Sequence, residues 1–85
     1  MQGVVTDDGG YPLPRSTVTL TDSAGRVLAA SDTRKDGHYE FLLEQRCDRC
    51  SLKAEHMGFV AQNRSGIKYN GSNSLWFSFA LGKTK

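Results

Sequence analysis

Asp36-Gly37-His38-Tyr39-Glu40-Phe41 is the stretch that most narrows the possible folds. Asp can hydrogen-bond its own following backbone and Gly accepts a positive φ without steric cost, so a tight turn is expected over residues 34–37. The alternation that follows is that of a strand: Tyr39, Phe41 and Leu43 share one face, and His38, Glu40 and Leu42 the other. The aromatic face is assigned to the core.

The same grammar recurs along the chain. Residues 2–6 read as a first strand, with Val4 and Thr6 on one face and Gly3 and Val5 on the other, broken by Asp7-Asp8-Gly9-Gly10. Pro12 and Pro14 force an extended connection, because each fixes φ and lacks a donor for a ladder. Residues 16–21 alternate Val18 and Leu20 against Thr17, Thr19 and Thr21, and residues 27–33 return after the Asp22-Ser23-Ala24-Gly25-Arg26 turn. The fourth strand covers residues 38–43. A polar loop closed by Cys47 and Cys50 leads to a strand over residues 51–57, with Leu52, Ala54 and His56 on one side. Residues 63–73, rich in Gly, Asn and Ser, read as a long mobile loop anchored by Ile67 and Tyr69. Residues 75–81 form the last strand, whose Leu75, Phe77, Phe79 and Leu81 make the strongest apolar face.

No helical period survives, and short strands punctuated by turn signals imply an all-β sandwich. At 85 residues the chain is one domain near the low end of what buries a self-sufficient core. Its expected core is Val18, Leu20, Tyr39, Phe41, Leu52, Phe77 and Phe79. Eleven Lys and Arg are interspersed with nine Asp and Glu, so no basic stripe for nucleic acid is seen, and no apolar run is long enough to cross a bilayer. Charge is uneven only after Glu55, where Arg64, Lys68, Lys83 and Lys85 occur without an acid between them. Met1-Gln2-Gly3 enters a strand without a signal segment, which leaves a cytosolic protein or a module excised from a longer exported protein with Met1 added, and the second is favoured.

Gly3-Val4-Val5-Thr6-Asp7, Gly10, Pro12-Leu13-Pro14, Val18-Thr19-Leu20, Gly25, Thr33, Asp36 to Phe41, Leu52-Lys53-Ala54 and Gly58-Phe59 together resemble the carboxypeptidase regulatory-like domain. The resemblance spans nearly the whole chain. It implies a prealbumin-like, seven-stranded antiparallel Greek-key β-sandwich. It also implies a mostly non-catalytic appendage, found beside carboxypeptidase domains and in exported or surface proteins of bacteria. Such a module would work against neighbouring domains or another protein, outside the cytoplasm, with no cofactor. Collagen-adhesin repeats of the same topology can carry a Lys–Asn isopeptide bond with the Lys in the first strand. Residues 2–6 contain no Lys, so none is expected here.

Cys47-Asp48-Arg49-Cys50 stands where the family pattern has a Gly and an aromatic, and several readings compete. A structural disulfide suits an exported small domain. A zinc half-site would need two further ligands, and His38 and His56 lie on different strands. A redox pair wants a helix N-terminus that the sequence does not supply, and two free thiols are the remaining case. The disulfide is favoured, holding Leu52 in register with Phe41.

No nucleophile, base and orienter share a motif, so no catalytic residue and no metal site are assigned. His38 and Glu40 read as an exposed surface pair, and Asp7, Asp8, Asp22 and Asp36 as turn caps. Asn63-Arg64-Ser65 and Asn70-Gly71-Ser72 would accept glycans only in a eukaryotic secretory setting. Trp76 shares its face with Ser78 and Ala80, opposite Phe77 and Phe79. The ordinary reading has Tyr11, Tyr69 or the long loop covering it. The other makes Trp76, with Tyr69 and Tyr11, a carbohydrate-binding surface.

Overall fold

The computed structural model describes residues 1–41, 46–70 and 75–84. Seven strands are found there: β1 (Gln2–Asp7), β2 (Thr17–Thr21), β3 (Val27–Asp32), β4 (His38–Glu40), β5 (Cys47–Glu55), β6 (Gln62–Tyr69) and β7 (Trp76–Leu81). They form a three-stranded sheet in the order β4-β1-β7 and a four-stranded sheet in the order β3-β2-β5-β6. The expected all-β, seven-stranded sandwich is what the chain makes. Among the described residues no helix is long and apolar enough to cross a membrane.

The expectation of a wholly antiparallel arrangement needs correcting. Four ladders are antiparallel, but β1 and β7 pair in parallel, Gln2 opposite Trp76 through Asp7 opposite Leu81. The reason is directional. The chain reverses at every connection, so odd-numbered strands all run the same way, and two of them that become neighbours must pair in parallel.

Three of the reversals are one device used three times. Asp7 and Tyr11, Asp22 and Arg26, and Arg34 and His38 each join through the amide of the first and the carbonyl of the last. Inside each, Gly10, Gly25 or Gly37 donates back to the carbonyl of the first residue with φ between 78° and 88°. A residue with a Cβ pays steric strain there. Of the four Asp side chains expected to cap turns, Asp7, Asp22 and Asp36 do so: Asp7 Oδ1 accepts from the amides of Gly9 and Tyr11, and Asp36 Oδ1 from that of His38. Asp22 Oδ1 accepts from Arg26 and Ala24, and these amides, that of Arg26 foremost, hold its carboxyl below the usual range.

The core fills the gap between the sheets. Val5, Tyr39, Phe41, Phe79 and Leu81 come from the first sheet and its margin, and Val18, Leu20, Cys50, Leu52, Ala54, Ile67 and Tyr69 from the second. Leu13 plugs one end, where Thr33 Oγ1 donates to Leu13 O at 2.6 Å and accepts from Ser16 N at 2.8 Å. Phe77 is only half-buried and packs at the edge of this core. Leu42 and Leu43 lie outside the described residues.

Two strand assignments change. Residues 63–69 of the expected long loop lie in β6, which begins at Gln62 and whose first five residues are all exposed. An edge strand buries little, so its polar, Gly-containing sequence carries no apolar alternation until Ile67 and Tyr69. The cysteines, assigned to a loop, sit inside β5. Cys47 faces Tyr69 and Cys50 faces Ile67, three steps on β5 against two on β6, so β5 bulges there. The mismatch is repaid at once: Ile67 to Arg64 spans three steps against two from Cys50 to Leu52, and Gly66 takes φ 70° within that opposite bulge.

Candidate functional site

The outward face of the three-stranded sheet is set by strand alternation. Val5, Phe79 and Leu81 point inward, so Trp76, Ser78 and Ala80 of β7, Gln2, Val4 and Thr6 of β1, and His38 and Glu40 of β4 point out. Register then makes rows. Glu40, Gln2 and Trp76 lie side by side, and His38, Val4 and Ser78 form the next row.

Trp76 is 56% exposed, so neither Tyr11, Tyr69 nor any other described residue covers it. Its indole Nε1 donates to Ser78 Oγ at 3.0 Å, which satisfies the only polar atom of the ring and leaves the ring face to stack. The His38 ring lies 6.0 Å from it, tilted by 43°. His38 Nε2 lies 3.0 Å from Gln2 Oε1. Glu40 faces Arg34 at 3.8 Å. The arrangement is one aromatic platform bordered by an imidazole, an amide, a hydroxyl and a carboxylate.

The three aromatics assigned to a binding surface do not meet. Tyr69 is 7% exposed and belongs to the core side of the other sheet. Tyr11 is exposed, but it lies past Asp7 at the far end of β1 from Gln2 and Trp76. The neighbours that Trp76 does have, Gln2 and His38, alternate outward in the sequence. Only the strand order β4-β1-β7 brings them beside it.

Chemically this face can stack and hydrogen-bond. Among the described residues no Ser or Cys is hydrogen-bonded to a histidine: Ser78 Oγ serves Trp76, and His56 Nδ1 meets Met57 O at 2.9 Å with its ring edge-on to Phe59. Cys47 and Cys50 are joined in a disulfide, with Cα atoms 5.9 Å apart and Cys50 wholly buried. The bridge staples the β5 bulge. It therefore fixes Leu52 against Leu20 and Arg64, its partners in the four-stranded sheet, and not against Phe41, which lies beside the other sheet.

The other side of the sandwich shows how its open edge is closed. Val60 N donates to Gly82 O at 2.8 Å, the Gln62 amide to Ala80 O, and Arg64 Nη2 to Ser78 O at 2.9 Å. Alternate residues from Val60 into β6 thus serve alternate carbonyls from Gly82 back into β7, first by backbone and then by side chain.

A family model of the carboxypeptidase regulatory-like domain matches residues 1–82. No curated protein matches the chain.

Proposed function

We propose, from the premise that the chain belongs to the carboxypeptidase regulatory-like domain family, a family of non-catalytic β-sandwich modules, that it is one such domain of a larger exported or cell-surface protein. It acts by packing on a neighbouring domain or a partner protein. The match over residues 1–82 carries this reading. The Cys47–Cys50 disulfide supports the compartment, since such a bond persists in oxidising surroundings and is reduced in the cytosol. Turnover of ester, peptide and glycoside substrates by the purified domain should stay at background. Steady turnover that disappears in His38→Ala or His56→Ala would overturn the reading. In cells, the exported form should show no free thiol, and a thiol-bearing, functional cytosolic pool would place the module elsewhere.

A second reading rests on Trp76, whose exposed indole has Gln2 and His38 beside it in place of Tyr69 and Tyr11, with Glu40 in the same row beyond Gln2. Such a platform suits a sugar ring, with the ring stacked on Trp76 and its hydroxyls meeting the flanking polar groups. A glycan array read together with Trp fluorescence tests it. Binding lost in Trp76→Ala and kept in Trp76→Phe is expected, and no glycan bound above background removes this reading.

A further inference from the structure

The closure of the β6–β7 edge stops at a definite place. Residues 60, 62 and 64 serve residues 82, 80 and 78, and the next pair in that series is Gly66 and Trp76. Gly66 has no side chain to reach across, and a Cβ placed there would meet nothing within 4 Å. The sheets part at this point. The result is a cleft of about 480 Å³, floored by Ile67, Leu75 and Phe77 and bordered by Arg64 and Lys68.

Its charge is one-sided. Among the described residues no acid borders the cleft, and no Asp or Glu follows Glu55 in the chain. Arg64 is held in place by Ser78 O and by the Phe79 ring, 5.5 Å from its guanidinium carbon, so a ligand that engages it at the cleft orders little further side chain. Lys68 adds a second, exposed cation. We propose that this cleft seats an acidic and apolar peptide segment of the partner protein, its carboxylate meeting Arg64 and Lys68 and its apolar side chain covering Ile67, Leu75 and Phe77. The proposal rests on the interaction-module reading and names the chemistry of that partner.

A fluorescein-labelled Glu-Phe-Glu-Leu peptide, titrated against the whole domain by anisotropy, is the probe. Saturable binding that weakens with added salt is expected, with amide NMR shifts confined to Gly66, Ile67, Leu75, Phe77 and their neighbours. Lys68→Glu should weaken binding roughly three- to tenfold, as expected for reversing one exposed charge partner. Lys83→Glu changes the net charge equally but lies away from the cleft, in the bridge to Phe59, and should leave binding unchanged. Equal weakening by both variants, equal binding of a Lys-Phe-Lys-Leu peptide, or no saturable binding would each overturn the proposal. So would octanoate binding as tightly as the peptide, which would make the cleft a small-anion pocket. Loss of the cleft assignment leaves the accessory-module reading standing, because that reading fails only on turnover or on thiol state.

Discussion

Arg64 and Ser78 belong to different sheets, yet the Arg64 guanidinium donates to the Ser78 carbonyl at 2.9 Å and joins the two layers along their open edge. The same group lies over the Phe79 ring, so one side chain both satisfies a strand edge and covers the core. Arg64→Ala should lower stability by about 1–2 kcal/mol, the sum of a charged hydrogen bond and an exposed cation–π contact. Arg64→Lys should restore less than half of it, since an ammonium cannot reach the carbonyl and stack in one pose. Urea unfolding measures both, and a lysine variant as stable as the parent would remove the stacking term.

Gly3 sits where the Tyr39 hydroxyl crosses β1 to donate to Phe77 O at 2.8 Å. A Cβ on Gly3 would stand 1.6 Å from that carbonyl oxygen and 2.8 Å from the hydroxyl. Both β1 ladders would have to shift, so Gly3→Ala should cost more than about 3 kcal/mol, beyond the usual range for a point change. Circular dichroism melting of Gly3→Ala beside Gly82→Ala, whose site is open, checks this. Comparable melting temperatures would refute it.

Burial pushes the Tyr39 phenol well above its ordinary range, with Arg64 pulling the other way. Below a pH of about 10 both folded and unfolded chains keep this proton, so it leaves stability unchanged there. Above it the unfolded chain releases the proton while the native state retains it, and stability falls as pH rises. Phenolate absorbance should therefore show the Tyr39 phenol titrating only on unfolding. Tyr39→Phe should flatten the alkaline loss, at a cost near neutrality of about 1 kcal/mol for the hydrogen bond to Phe77.

The disulfide closes a loop of two intervening residues. Chain entropy for so short a loop predicts a contribution of about 2 kcal/mol, below that of a long-loop bridge. Reduction should lower the melting temperature without unfolding the domain at room temperature, and hydrogen exchange should rise first at Cys47 to Leu52 and across at Ile67 and Tyr69. Thiol titration of unfolded, unreduced protein should find none. Two reactive thiols would falsify the bridge.

What the sequence disclosed follows the physics of burial. Alternation is written wherever one face is dry, so β1, β2, β7 and the inward set of Val18, Leu20, Tyr39, Phe41, Leu52 and Phe79 were legible. The Asp-Gly turns were legible because a positive φ leaves a mark in composition. β6 was not, since Gln62 to Gly66 are all exposed and their work is done by polar side chains reaching sideways. Trp76 was placed on the correct face, but its neighbours depend on which strands lie adjacent. No local pattern encodes that Gln2 and His38, rather than Tyr11 and Tyr69, stand beside it.

The parallel pairing of β1 with β7 sets the timing of folding. Val5 is shielded on the β7 side by Phe79, its register partner, so the nascent chain cannot finish this sheet until the seventh strand has left the ribosome. Until then β1 has only the three-residue β4 as a ladder partner, and the four-stranded sheet has no lid. Closure joins residues far apart in sequence, which puts the domain among slow, all-or-none folders on the millisecond-to-second scale. A stop introduced before β7 should then leave no half-formed sandwich, only a chain for chaperones to hold.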